Sequence, residues 1–351
     1  MFKKLKILDL STVLAGPSVA TFFAELGSEV LKIEDINHPD VTRSWKTKNE
    51  NRNSLSAYFS SVNYGKRYLE LDFTNKNDLQ IIYEHVRMSD IVISNFREEV
   101  SKKLGLDKKS LFSINSKLIL GRIQGFSEDE NRPAYDMILQ AECGFLSMSG
   151  TEAHGPQKMP VAMIDVLAAH QLKEGIMVAL LEKQIHSDFS SKEVLVCLDK
   201  VGISSLVNQA SNFLMTGFVP TSLGNIHPNI APYGELFITS DNITFTLAIG
   251  TDLHFSKLWN YLFNSEIPDK FSSNQNRVEH RKVLCELIQE KCLKQNYKEL
   301  NDFCLSFNIP IGEIKTLDKV FASSLVQKMI RHEEINGFNT QRVSSIAFEL
   351  K

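Results

Sequence analysis

The sequence predicts an α/β protein with a mostly parallel sheet, followed by a smaller α+β domain. Short apolar runs alternate with helical patterns through residues 1–200, which is typical of βαβ units. After residue 200 the pattern changes to a turn-rich crossing, a hairpin and further helices. The length of 351 residues exceeds that of one compact core, which also favours two domains.

Each element of the first domain has a local signal. The predicted strands are residues 6–10, 29–34, 66–73, 90–96, 117–124 and 193–198. Helices are predicted at 18–26 and 77–88, and a long helix begins near Asp165 and runs to about residue 186. Pro17 suits the first turn of a helix, and Gly27 suits the position just past its end.

The second part of the chain is predicted to be α+β. A linking helix is predicted at 201–216, followed by a turn-rich crossing at 224–234. A hairpin of two strands follows at 235–239 and 243–250, and then two helices at 252–263 and 277–293.

Composition excludes several classes of function. A net charge of −3 leaves no electrostatic footprint for nucleic acid. No apolar run reaches a membrane-spanning length, and the N-terminal residues read as a strand rather than a signal peptide. The five cysteines are scattered without a Cys-x-x-Cys pair, and no histidine pair has metal-binding spacing on a helix. We therefore expect a cytoplasmic protein without a metal site, a nucleic-acid partner or a membrane partner.

Asp165 is the strongest candidate for a reactive residue. It lies in an apolar run, 160–170, at the predicted start of the long helix. The free N–H groups of a first helical turn favour a charged carboxylate, while apolar neighbours strip water from it. A charged and poorly hydrated carboxylate is a potential nucleophile. The alternative interpretation is that Asp165 only caps its own helix.

The carboxyl ends of the predicted strands are the other candidate positions, because ligands of open parallel sheets bind there. Candidates are residues 11–16, 35–43, 95–96 and 124–126. A dinucleotide site with Glu34 on a ribose is excluded, because the first turn lacks G-x-G-x-x-G. A P-loop is absent from the sequence as well.

Taken in order, these segments resemble the class III CoA-transferase family, which includes formyl-CoA transferase and the carnitine CoA-transferases. The resemblance runs almost from end to end. It rests on residues 7–17 (ILDLSTVLAGP), 26–34 (LGSEVLKIE), 40–45 (DVTRSW), 63–72 (NYGKRYLELD), 94–96, 103–105, 125–126, 135–141 (YDMILQA), 160–170, 224–228 with 232–234, and 278–281 with 309–311.

The resemblance implies a chemistry and an architecture. Asp165 stands at the family's catalytic aspartate, which transfers coenzyme A between carboxylic acids through a mixed anhydride and an aspartyl thioester. Coenzyme A and acyl-CoA are then substrates, and no cofactor is bound permanently. The implied fold is a Rossmann-like large domain of residues 1–200 plus 325–351, and a small domain of 225–312. Linkers at 201–224 and 313–324 would thread an interlocked homodimer, in which the small domain of one subunit closes over Asp165 of the other.

The resemblance also assigns ligand contacts. The implied path of coenzyme A is lined by Leu14, Ala15, Leu71, Asn95, Phe96, Lys103 and Leu104. Trp45, Tyr135 and Gln140 would line the acyl pocket. Amides near Gln124 and Gly125, or that of Gln140, are candidate donors to the oxyanion of the tetrahedral intermediates. For the leucines, packing in the core is an equally open interpretation.

The departures from the family's pattern are specific. Asp35 replaces an arginine that lies over the adenine, so Arg43, Lys66 or Arg67 would have to take over that contact. Lys103 stands where arginine is usual, and the glycine-rich loop of formyl-CoA transferase has no counterpart, which disfavours selectivity for formate and oxalate.

Two alternative functions remain open from the sequence. One is an α-methylacyl-CoA racemase, disfavoured because Tyr135 replaces its basic histidine and a tyrosine is a poor base at neutral pH. The other is a catalytically inert CoA-binding homologue, which Asp35 favours and Asp165 disfavours.

Overall fold

The computed structural model describes residues 2–349 and 351. Its strands are β1 (Lys6–Asp9), β2 (Glu29–Asp35), β3 (Arg67–Leu71), β4 (Ile91–Ser94), β5 (Ile119–Gln124), β6 (Gly150–Thr151), β7 (Gly155–Pro156), β8 (Lys192–Cys197), β9 (Tyr233–Ile238), β10 (Thr244–Ala248), β11 (Ile311–Glu313), β12 (Ile330–Ile335) and β13 (Phe338–Val343). Its α-helices are α1 (Ala15–Glu25), α2 (Ala57–Ser61), α3 (Lys76–Met88), α4 (Glu98–Leu104), α5 (Lys108–Ile114), α6 (Asp136–Glu142), α7 (Phe145–Met148), α8 (Met163–Ile185), α9 (Leu198–Ser204), α10 (Val207–Thr216), α11 (Asp252–Phe263), α12 (Asn274–Glu279), α13 (Arg281–Cys292), α14 (Tyr297–Ser306), α15 (Leu317–Phe321) and α16 (Ser324–Met329).

A six-stranded parallel sheet forms the centre of the larger unit, with the order β3-β2-β1-β4-β5-β8. Ile7 on β1 pairs with Val30 of β2 on one side and Ile91 of β4 on the other. The chain therefore moves outward from β1 in both directions, which creates a topological switch point between β1 and β4. The predicted fold class is confirmed.

Two apolar layers cover this sheet. Helices α1 and α8 pack on one face, where Phe23 and Ile176 are fully buried. Helices α3 and α5 contribute Ile82 and Leu111 to the core on the other face. Because both faces are covered, a strand such as β4 is buried along its whole length. Gly27, with φ 90°, follows the end of α1 in the left-handed conformation that its position predicts.

The chain divides into two compact units. The first contains the described residues up to Leu146, Lys158–Val219 and those from Ser324 onwards. The second contains Ser147–Gln157 and Pro220–Ser323. The domain and linker boundaries given from the sequence stay a prediction.

The second unit is built on an antiparallel sheet with the order β11-β10-β9. The predicted hairpin is present, with Phe237 of β9 opposite Phe245 of β10, and both rings are buried in the core of this unit. The single helix predicted at 277–293 is instead two helices in the structure, α12 and α13, which are divided at His280.

The predicted linking helix 201–216 also forms as two helices, α9 and α10. Val207, at their junction, has a φ of 43°, which interrupts the helical path. The C-terminal hairpin of β12 and β13, which belongs to the first unit, is an element without a counterpart in the sequence prediction.

Candidate active site

A cleft of about 870 Å³ opens in the first unit where β1, β2 and the start of α8 converge. It is the largest cavity described in this unit, and most of its surface is apolar. Its walls are Val13, Leu14, Val41, Trp45, Tyr58, Tyr135, Asp136, Met137, Ile138, Gln140, Lys158, Met159, Pro160, Val161, Ala162 and Asp165. The cleft thus brings together five residues predicted for one site: Asp165, Trp45, Tyr135, Gln140 and Leu14.

Asp165 lies in the first turn of α8, which begins after Ala162. Its side chain is buried, with 9% of the residue exposed, and no donor among residues 2–349 and 351 hydrogen-bonds its carboxylate. Burial first, and the nearby charge of Asp136 second, raise its pKa from the ordinary 3.8 to about 7. The helix start therefore does not outweigh desolvation, contrary to the expectation that the charged form is favoured.

Asp136, rather than Asp165, caps the long helix. Its Oδ1 accepts the N–H groups of Ile164 (2.7 Å) and Asp165 (3.2 Å). The interpretation of Asp165 as a simple cap is therefore wrong in this structure. With its helix already capped, the Asp165 carboxylate lines the cleft and has no hydrogen-bond partner within the described residues.

A chain of hydrogen bonds fixes this arrangement. The Gln140 Nε2 donates to Asp136 Oδ2 (2.6 Å), and the Gln140 Oε1 accepts the N–H of Met159 (2.9 Å). The side-chain amide of Gln140 lines the cleft but is already committed to Asp136. Likewise, Gln124 donates to the carbonyl of Phe126 (2.5 Å). Each side-chain amide therefore has one of its two N–H donors occupied, and the assignment of these amides as oxyanion donors stays a prediction.

Three aromatic rings form one wall of the cleft. Trp45 lies 5.2 Å from Tyr58, edge to face, and 6.3 Å from Tyr135, measured between ring centroids. Burial, and next the charges of Asp165 and Asp136, raise the pKa of Tyr58 to about 12. Its hydroxyl stays protonated at neutral pH and makes no hydrogen bond with the described residues. Sequence reasoning missed Tyr58, which has no signal beyond its place in a short helix.

Unpaired backbone donors lie at the start of α1. The amide groups of Leu14, Ala15 and Gly16 have no hydrogen-bond partner within the described residues, as the first turn of a helix leaves them free. Leu14 lines the cleft. Such donors are chemically suited to an oxygen that gains negative charge during a reaction.

The predicted coenzyme contacts fall into different places. Asn95 stabilises the turn between β1 and α1. Its side chain accepts the N–H of Thr12 (3.0 Å) and donates to the carbonyl of the same residue (2.9 Å). Phe96 lies edge to face against Phe73 at 6.2 Å. With Gln124, both line a second, smaller cavity of about 100 Å³.

The other predicted contacts are not gathered at one place. Leu71 is buried and Leu104 partly buried in the core on the α3 side, as the packing interpretation expects. Ala15 is buried at the start of α1, and Lys103 is exposed.

None of the three proposed replacements for the adenine-contacting arginine is free. Arg43 binds Glu34 through Nε (2.7 Å) and its guanidinium lies 3.8 Å from the centre of the Phe59 ring. Lys66 is buried and donates to Asp9 (2.8 Å). Arg67 is paired with Glu29. Arg67 and Glu29 are both exposed, so this pair is weak, and the prediction that one of the three residues takes over the contact stays a prediction.

The fold and this cleft define a class: an α/β protein with a cleft beyond the carboxyl ends of parallel strands β1 and β2, and with a carboxylate in the cleft wall that is unpaired within the described residues. Comparison with known proteins identifies the family. The sequence model of CoA-transferase family III matches residues 2–346, and the chain belongs to this family. The resemblance found in the sequence is confirmed.

Individual relatives agree. The chain is 32% identical over 332 residues to the succinate–glutarate CoA-transferase of Agrobacterium fabrum, covering 92% of this chain and 82% of the relative. It is 28% identical to the acetyl-CoA:oxalate CoA-transferase of Acetobacter aceti, covering 94% and 84%. A crystal structure of a CaiB/BaiF family protein from Brucella suis superposes with a TM-score of 0.83 at 30% identity, covering 99% and 92%. Within the described residues, no helix has the length and apolar character needed to cross a bilayer.

Proposed function

We propose that Asp165 is the nucleophile of a CoA transfer between two carboxylic acids. The single observation that carries the proposal is its buried carboxylate, unpaired within the described residues, in the wall of a cleft of about 870 Å³. In the first step, an Asp165 oxygen attacks the thioester carbonyl of the donor acyl-CoA. The carbon–sulfur bond breaks, which leaves a mixed anhydride and the CoA thiolate. The thiolate then attacks the aspartyl carbonyl and expels the donor acid as a carboxylate.

The second half reverses these steps with another acid. The acceptor carboxylate attacks the aspartyl thioester and expels the thiolate, which then attacks the acceptor's acyl carbon. Acyl-CoA leaves and the Asp165 carboxylate is restored. Every bond that breaks is matched by one that forms, so the exchange needs no outside reagent. The apolar walls suit it, because anhydrides and thioesters hydrolyse where water has access.

Each attack creates a tetrahedral oxyanion that needs donors. We propose the Tyr58 hydroxyl and the free amides of Leu14 and Ala15 for this role, in place of the glutamine amides. The support is that these donors lie at or next to the cleft wall and are unpaired within the described residues. Loss of one such donor typically lowers the rate by about 10²–10³-fold.

The acceptor is proposed to be a dicarboxylic acid. Among the described residues that line the cleft, Lys158 is the one with a positive charge. It makes no ion pair within the described residues. An unpaired ammonium group in the same cleft as the reactive carboxylate fits a substrate that carries a second carboxylate. The relatives named for succinate with glutarate and for oxalate are consistent with this class.

A homodimer is the proposed assembly. Exposed apolar side chains lie on α8 (Val178, Leu181 and Ile185) and on α10 (Leu214 and Met215). Single exposed apolar residues need no explanation, but several on each of two helices of the first unit suit a surface that is covered by another subunit. The interlocked topology implied by the family resemblance stays a prediction. Sedimentation of the purified protein measures the subunit number.

The decisive experiment traps the enzyme–CoA intermediate. The enzyme is incubated with acyl-CoA and then with borohydride, which reduces an aspartyl thioester to homoserine, and the peptides are mapped by mass spectrometry. Homoserine is expected at position 165 only, and Asp136 in the same digest is the internal control. Reduction at another residue, or transfer at the wild-type rate by the Asp165→Ala variant, would overturn the proposal. Loss of substrate deuterium from the α-carbon would instead favour the racemase alternative.

A further inference from the structure

The turn between β1 and α1 contains a strained residue. Val13 has a φ of 73°, in the left-handed region that a β-branched side chain rarely adopts. Of the six described non-glycine residues with positive φ, four are asparagines, which tolerate this conformation. Val13 and Val207 are the two exceptions, and only Val13 lines the cleft. A strained backbone persists only where surrounding contacts hold it.

A buried carboxylate supplies that contact. The N–H of Val13 donates to both oxygens of Asp40, at 3.3 and 3.1 Å, and only 1% of Asp40 is exposed. Asp40 Oδ1 also accepts the N–H and the hydroxyl of Thr42, at 3.0 and 2.7 Å. The Lys32 ammonium, 3.7 Å away, offsets the charge of Asp40 and donates to the carbonyl of Ser11 at 2.5 Å. Such bonds to an ionised acceptor are stronger than neutral ones.

The held turn shapes the reactive cleft. Val13 and Leu14 form part of its wall, and the unpaired amides at the start of α1 follow directly. Asp40 itself does not line the cleft. If Val13 relaxed to a negative φ, the chain direction would change before Leu14, and this wall and these amides would move with it.

We propose that Asp40 is a positioning residue for CoA transfer. It holds Val13 in the left-handed conformation. The turn at Val13 then places Leu14 and the first amides of α1 against the reacting groups at Asp165. The inference rests on the proposed role of Asp165. It predicts that Asp40 governs the rate of the chemical steps more than the binding of either substrate.

The test is a double-mutant cycle between Asp40→Asn and Val13→Gly. Asp40→Asn is expected to lower kcat by about ten- to a hundred-fold, with KM for acyl-CoA changed by less than about three-fold, since relaxing one strained residue is worth a factor of this size. Val13→Gly alone supplies the second reference state of the cycle, because glycine adopts a positive φ without strain. In the Val13→Gly background, Asp40→Asn should cost about ten-fold less than in the wild type.

Two controls separate positioning from general stability. Val207→Gly also places glycine at a strained valine, but away from the cleft, and should not rescue Asp40→Asn. Thr42→Val removes another partner of the same carboxylate without touching the turn, and its kcat should stay near that of the wild type.

The possible outcomes of the cycle separate a positioning role for Asp40 from the alternatives. A wild-type kcat for Asp40→Asn, an equal loss in both backgrounds, or equal rescue by Val207→Gly overturns the positioning role. If Asp40→Asn alone does not fold, the double variant with Val13→Gly must fold and transfer CoA; a double variant that stays unfolded assigns Asp40 to folding and also overturns the proposal. Absence of CoA transfer by the wild-type enzyme counts instead against the proposed function.

Discussion

Changing Asp165 to asparagine removes a charge that the fold buries without a compensating cation. Burial, and then Asp136, raise the pKa of the Asp165 carboxyl from the ordinary 3.8 to about 7. The difference of about 3 pKa units, at 1.36 kcal/mol each, corresponds to about 4 kcal/mol of free energy of unfolding. Because asparagine has a similar size and no charge, Asp165→Asn is expected to be more stable than the wild type by about this amount above pH 7.

The sign of the pH dependence follows from the direction of the shift. The pKa of the folded state lies above that of the unfolded state, so the folded state holds its proton while the unfolded state releases it. The cost of ionising Asp165 is absent below about pH 4, grows between pH 4 and 7, and is complete above pH 7. Asparagine does not titrate. The stability advantage of the variant should therefore be about 2.5 kcal/mol larger at pH 8 than at pH 5.

Thermal unfolding at these two pH values measures the effect. For a unit of this size, 1 kcal/mol shifts Tm by about 2–4 °C, so the variant's advantage in Tm should be about 5–10 °C greater at pH 8. Asp188→Asn is the matched control, because Asp188 is exposed and makes no hydrogen bond within the described residues; its Tm should follow the wild type at both pH values. An advantage that does not change with pH, or a variant less stable at pH 8, would refute the account of an unpaired buried charge.

Three further predictions concern activity. Because only the ionised carboxylate attacks, kcat/KM for acyl-CoA should rise with pH to a plateau, with an apparent pKa near 7; a flat profile between pH 5.5 and 8.5 would contradict this. Asp136→Asn removes the neighbouring charge, so this profile should move to lower pH, and an unchanged midpoint would show that Asp136 does not act on Asp165. Lys158→Met should lower kcat/KM for glutarate by about ten-fold or more and leave kcat/KM for butyrate unchanged. Lys117→Met is the control and should change neither value, because Lys117 is exposed and does not line the cleft. Equal losses with both acids would exclude the dicarboxylate assignment.

Much of the site could be predicted because its members belong to local patterns. Asp165 stands out as an acid inside an apolar helix start, and Trp45, Tyr135 and Gln140 follow from the family resemblance. All of them line one cleft in the structure. The position of Asp165 needs only the local pattern, whereas the other three residues need the order of motifs along the chain, on which the resemblance rests.

The supporting residues could not be predicted, because their partners are distant in the sequence. Asp136 lies 29 residues before the amide that it caps. Asp40 lies 27 residues after Val13, and nothing in a valine indicates a positive φ. Arg43 shows how a charge can mislead a prediction from sequence. Its charge suggests a nucleotide contact, but its guanidinium is hydrogen-bonded to Glu34, which only the fold brings beside it.

The sequence by itself determined the alternation of strands and helices, the family, and the acid at the start of the long helix. These depend on side-chain periodicity and on the order of residues along the chain, which are the same before and after folding. Only the tertiary structure decided whether that acid caps its own helix, in which direction its pKa shifts, and which carboxylate supports the strained turn at Val13. Such properties depend on desolvation and on charges a few ångströms away, and those distances exist only after distant segments have packed together.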